Sequence, residues 1–447
     1  MPPTPQILIV APNVSARHGG EAFIPLKYFE LMRARGLPVR LVTHARNRPE
    51  LAGRLGPDLD RVDFLPETRW HGLVARRLAR RGRLAEILAG ALLRRLDARA
   101  QDRAIRARVA AGEAEVIHQP IPVSPLIPSA LHGYGVPVVI GPMNGGMTYP
   151  PGYGDLESAR DRRLVALIRA GARVMNRLVP GKRRAAVLLV ANARTRAALP
   201  CPDHPRIETL VENGVDFDTW AAPPDTVLAD TAPGALRAPG DPGAALRLVF
   251  MGRLVGWKAV DITLQALARA RAGGVAATLE ILGDGSARAA LEAEAARAGL
   301  GEAVRFAGFL PQADCAARLA AADALILNSV WECGGAVVLE AMAMGLPVIA
   351  SDWGGPADYL DAECGILVSP VPRAAFADRL AAAIARLAAD PALRAAMGAA
   401  GAAKVRAEYD WERKVDRMLE ICRDAAGPPP HAADHAGPAA SLARHSS

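Results

Sequence analysis

Short aliphatic runs alternate with longer Ala/Leu/Arg-rich segments along nearly the whole chain, and this alternation admits few folds. The first series is QILIV (6–10), VRLVT (39–43), VDFL (62–65), EVIH (115–118), VPVVI (136–140) and VLLVA (187–191). A Pro/Ala/Gly/Asp-rich stretch at 221–244 interrupts it. It then resumes as LRLVFMG (246–252), ATLEILG (277–283), VRFAG (304–308), ALILN (324–328), LPVIAS (346–351) and CGILV (364–368). Such runs are too short for helices and read as strands buried on both faces, with the segments between them as crossover helices. Two βαβ series imply two parallel-sheet domains. We expect an N-terminal domain over 1–200, a connection over 201–245, a second domain over 246–405 and a terminal helix over 406–426. The tail, 427–447, is low in complexity and reads as disordered.

The net charge of +8 conceals an asymmetry. Residues 1–200 carry 32 Lys/Arg against 15 Asp/Glu, whereas the remainder carries 22 against 31. A basic first half suits a phosphorylated ligand or an anionic membrane surface. It shows no aromatic-interleaved module, so nucleic acid is not expected as a partner. The five cysteines lack the close pairing of a metal or redox site, which points to a reducing, cytoplasmic setting. No signal peptide is read at the N-terminus, and no apolar run reaches the roughly 18 residues that a membrane span requires.

In parallel sheets of this kind ligands sit beyond the carboxyl ends of the strands, so function is expected in the strand-end loops. After ALILN comes ECGGAVVLE, with Glu332 in a loop, Gly334 and Gly335 at a helix start, and Glu340 about one turn inside the helix. Glycine amides at a helix N-terminus form an anion cradle. Eight residues of helix would separate the two acids by ~12 Å, beyond the ~5–9.5 Å of a hydrolase pair, so they address different parts of one extended ligand. After LRLVFM come Gly252, Arg253 and, five residues on, Lys258, a cation pair suited to a diphosphate. Gly283 opens a GDGS turn, which is either ordinary turn chemistry or a binding loop. Phe309 and Leu310 would line a nucleobase slot or cap a core. In the first half, Gly19 and Gly20 precede an amphipathic helix, and His118 closes strand EVIH, where a histidine is either structural or touches substrate.

Together GRL…K, GDG, E-x7-E and the NGVD of Asn213–Asp216 resemble the family 4 retaining glycosyltransferases of GT-B architecture, most strongly over about 211–370. The resemblance implies an α/β fold of two Rossmann-like domains facing across a cleft, with Tyr409-Asp410-Trp411 opening a helix that crosses back to the N-terminal domain. It implies that Arg253 and Lys258 hold the diphosphate of a nucleotide sugar, Glu340 the ribose hydroxyls, and Glu332 and Gly335 the transferred sugar. Gly19, Gly20 and His118 would face them from the other domain. The chain departs from the family's pattern at Gly334, where an aromatic residue or cysteine is common, and at Ala259, where glycine is. At Asp358 an acidic residue is usual, often Glu.

The implied function is retaining transfer from a UDP-, GDP- or ADP-sugar to a saccharide or lipid-linked saccharide acceptor, with no cofactor and no metal. The alternatives are a nucleotide-sugar epimerase and a non-catalytic sugar-binding protein. A second basic segment, with Arg76, Arg77, Arg80, Arg81 and Arg83 among apolar residues, suits the anionic inner face of a plasma membrane.

Overall fold

The computed structural model describes residues 4–16, 20–67, 98–157, 159–220 and 245–427. Gly19, the basic segment at 76–83, residues 221–244 of the connection and all but Gly427 of the expected tail lie outside the described residues.

Among the described residues thirteen strands form two all-parallel sheets. The first contains β1 (Ile7–Val10), β2 (Val39–His44), β3 (Val62–Leu65), β4 (Val116–Gln119), β5 (Val138–Met143), β6 (Val187–Val190) and β7 (Ile207–Thr209), in the spatial order β3-β2-β1-β4-β5-β6-β7. The second contains β8 (Leu246–Met251), β9 (Ala277–Leu282), β10 (Val304–Gly308), β11 (Ala324–Leu327), β12 (Val348–Ser351) and β13 (Gly365–Val368), ordered β10-β9-β8-β11-β12-β13. Strand β7 falls within the stretch read as connection, but pairs with β6 through Leu188↔Ile207 and so extends the first sheet.

Burial on both faces explains the unbroken aliphatic runs. In β1, Ile7 and Ile9 join one core cluster while Leu8 and Val10 join another on the opposite face. Each sheet reverses direction of growth at one point, between β1 and β4 and between β8 and β11. A crevice opens beyond the strand ends at such a switch.

The last helix, Trp411–Ala426, belongs to the N-terminal domain by packing. Trp411, Val415, Met418 and Cys422 are buried with Tyr28, Phe29 and Val116. Arg35 of the first helix, Phe23–Ala34 and its C-cap, pairs with Glu412 and with Asp416 at 2.7 Å. The two chain crossings meet, since Val215 donates to Tyr409 O at 2.8 Å and Trp411 N to Val215 O at 3.3 Å. Asp216 of NGVD is held by Lys27 at 2.6 Å. Among the described residues, no helix is long and apolar enough to cross a membrane.

Candidate functional site

Between the two sheets lies a cleft of about 1510 Å³, whose walls come from both domains. On the C-terminal side they include Gly252, Arg253, Lys258, Glu332, Gly334, Gly335 and Glu340; on the N-terminal side, Gly20, Asn144 and Arg194. Seven of the expected residues on one domain thus meet at one surface.

The geometry follows from two loops at the switch point. After β8 the chain turns through Gly252 and a short 3-10 turn, Gly256–Lys258, which carries Lys258 inward. Lys258 Nζ hydrogen bonds Glu332 of the loop after β11; their side chains retain 12% and 18% exposure. Arg253 is exposed and has no ion-pair partner among the described residues. Its five donors remain available to an anion.

Helix Ala336–Ala343 begins at Gly335, whose φ of 73° is the left-handed conformation glycine tolerates. Its first amides face the cleft and form a positive dipole end beside Lys258. Glu340 follows one turn later, half-buried, and loss of water pushes its pKa up to about 7. A carboxyl raised by burial is neutral in the folded protein below that value, so its titration opposes folding as pH rises from the ordinary range near 4.5 through about 7. On the expectation that Glu340 accepts from ribose hydroxyls, its charged form is the stronger acceptor. Nucleotide-sugar affinity should therefore rise between about pH 6 and 8 and become flat in Glu340→Gln. Calorimetric titration with an intact sugar diphosphate checks this, and a flat profile in the unaltered protein would remove Glu340 from the nucleoside contact.

The departure at Gly334 has a steric explanation. A Cβ there would come closer than 3.0 Å to Glu212 Oε1 and Asn213 Nδ2, and to 3.3 Å from the Tyr359 hydroxyl. Glu212 therefore occupies the space a side chain would take. Its Oε1 accepts from Asn144 Nδ2 at 2.7 Å and Asn213 Nδ2 at 3.1 Å, and Asn144 also donates to Cys333 O at 2.9 Å. Burial raises the Glu212 pKa and lowers that of Lys414, which donates to Val211 O. Asp358 is held from the other domain by Arg194 at 2.9 Å and Asn192 at 2.8 Å. Asn144, Glu212 and Arg194 are the residues that sequence reasoning missed.

Four expected residues lie elsewhere. His118 is fully buried, its Nε2 2.8 Å from Gly141 O and its ring edge-on to Tyr28 at 5.1 Å. Burial pushes its pKa down to about 4, and it does not line the cleft. Gly283 packs backbone to backbone behind Gly252 rather than lining the cleft. Phe309 is 80% exposed outside the cleft, and Leu310 packs on the C-terminal core.

Solved structures give the fold. The chain aligns with Anabaena Alr3699/HepE in complex with UDP over 93% of its length and 99% of the other, with TM-score 0.62 and 17% identity. Sucrose-phosphate synthase from Thermosynechococcus elongatus gives TM-score 0.59 at 19% identity, over 94% and 98% of the two chains. The fold is GT-B. Residues 237–404, which include most of the C-terminal domain, match the family model described as Glycosyl transferases group 1. Among similar curated proteins, glycogen synthase of Mycobacterium tuberculosis is 31% identical over 214 residues, 48% of this chain and 47% of the relative. The GDP-mannose-dependent monoacylated alpha-(1-6)-phosphatidylinositol monomannoside mannosyltransferase of Corynebacterium glutamicum is 35% identical over 176 residues, 38% of this chain and 45% of the relative. The chain spans about half the length of these curated relatives.

Proposed function

We propose that this protein is a retaining glycosyltransferase that moves a sugar from a nucleotide-sugar donor to an acceptor hydroxyl. The observation that carries the reading is the convergence of Arg253, Lys258, a helix N-terminus and two separated acids on one interdomain cleft. Arg253 and Lys258 take the donor diphosphate, the amides after Gly335 add to its neutralisation, Glu340 accepts from the ribose and Glu332 from the sugar. Charge grows on the departing diphosphate in the transition state, and fixed cations and dipoles stabilise it without a proton relay. The C–O bond from the sugar anomeric carbon to the diphosphate breaks as one to the acceptor oxygen forms on the same face, and the acceptor proton leaves with the nucleotide.

The N-terminal wall, with Gly20, Asn144 and Arg194, receives the acceptor. A lipid-linked saccharide or growing surface glycan fits the basic first half, and the corynebacterial relative is named for an acylated phosphatidylinositol mannoside. The place of work is the cytoplasmic side of a membrane.

A thermal-shift panel of UDP, GDP, ADP and their sugars tests the donor site, since a ligand of the folded state raises Tm by mass action. At ~100 times Kd the gain is about 2.7 kcal/mol, easily read. No shift with any of them would count against the reading. Donor conversion without acceptor would favour the epimerase instead.

A further inference from the structure

Helix Ala159–Leu178 carries three chemically distinct faces. Val165 and Ile168 line the cleft, and Ala172 and Asn176 are buried beneath the helix. Away from them, Leu167 is 70% exposed, Val174 56%, Met175 47% and Leu178 72%. These are four of the five large hydrophobic residues exposed among the described residues. Leu167, Val174 and Leu178 fall within ~40° of arc on the helix, so they form one stripe. Beside the stripe Arg163 and Arg177 are exposed and make no ion pair among the described residues. From Arg162 to Arg184 the sequence has eight Lys/Arg and no Asp or Glu.

We propose that this face is an interfacial docking surface for an anionic lipid bilayer. The helix lies flat, its apolar stripe sunk at the headgroup boundary and its arginines at the level of the phosphates. Charge decides the occupant. A second copy of the chain on this stripe would set arginines against arginines, and the segment 68–97 carries eight arginines of its own. Anionic lipid neutralises what either of those would repel. The same helix supplies cleft wall, so docking brings the acceptor side of the cleft to the membrane. This purpose, though not the docking itself, rests on the transferase reading above.

Co-sedimentation of the full chain with vesicles of phosphatidylcholine alone, and with about one-third phosphatidylglycerol, tests the surface in the absence of any substrate. We expect partition at least about tenfold stronger on the anionic vesicles, weakening as salt shortens the Debye length. The triple variant Leu167→Ser, Val174→Ser, Leu178→Ser should lose about tenfold while keeping the wild-type Tm and nucleotide-induced shift. Equal binding to both vesicle types, or none, overturns the proposal. So does a triple variant that binds like wild type, as would follow if Arg76→Gln, Arg77→Gln, Arg80→Gln, Arg81→Gln alone abolished binding. A dimer that the triple variant dissociates, without vesicle binding, overturns it in favour of a second copy. Failure here leaves the nucleotide shift unaffected, so the two readings fall separately.

Discussion

Lys258→Met should lower transfer by about 10²–10³-fold, the range expected when one preorganised charge stabiliser is removed from a transition state. The side chain sits on a short turn beside a helix N-terminus, nearly enclosed, and its ammonium is already committed to Glu332. On the proposed transferase reading, a donor diphosphate shares that ammonium with the carboxylate. Glu332→Gln should therefore lose transfer to a similar degree while holding the nucleoside diphosphate as well as wild type or better, because Lys258 is no longer neutralised. Steady-state rates paired with equilibrium nucleotide binding separate the two roles. The double variant should lose far less than the product of the single losses, as residues acting as a unit do. Wild-type kcat in Lys258→Met, or nucleotide binding abolished in Glu332→Gln, would contradict this division.

The strands were legible because burial on both faces leaves an unbroken aliphatic run wherever one occurs. Strand β7 escaped because an edge strand of three partly exposed residues, Ile207–Thr209, leaves no such run. The position of Glu332, Lys258 and Glu340 on the cleft wall was legible for a related reason: strand-end loops at a switch point must face the crevice, whatever the rest of the chain does. His118 lies one residue before the end of β4, yet its side chain points to the face covered by the first and last helices, and the return of a helix from so far along the chain cannot be read locally. Glu212 and Asn144 were missed because their meaning is a contact. Each is an ordinary polar residue until the fold sets Asn144, after β5, against Glu212, after β7, and both against the Cys333–Gly334 backbone of the other domain. The unusual glycine at 334 was the one visible sign that something else fills that space.

Gly283→Ala should cost about 3–5 kcal/mol, combining overpacking against backbone with a strained dihedral. Its φ is 141°, and an added Cβ would come closer than 3.0 Å to the carbonyl of Gly252. Neither side can yield cheaply. Gly252 N donates to Leu282 O at 2.9 Å, Gly283 N to Gly308 O at 2.7 Å and Leu254 N to Asp284 O at 2.9 Å, so three strand-end loops are laced through their backbones. Arg253 and Lys258 ride on the first of these loops. The loss is a large share of the ~5–15 kcal/mol by which a domain is stable, and should lower Tm by roughly 10 °C. Gly53→Ala is the control: it lies in helix Arg48–Leu55 with no atom within 4 Å of an added Cβ, and should gain up to about 1 kcal/mol. A Gly283→Ala protein with wild-type Tm but no nucleotide binding would instead make this glycine a ligand contact, the second of the two readings open for the GDGS turn. A lowered Tm, with residual nucleotide binding that tracks the folded fraction, assigns it to the scaffold that aims Arg253 and Lys258.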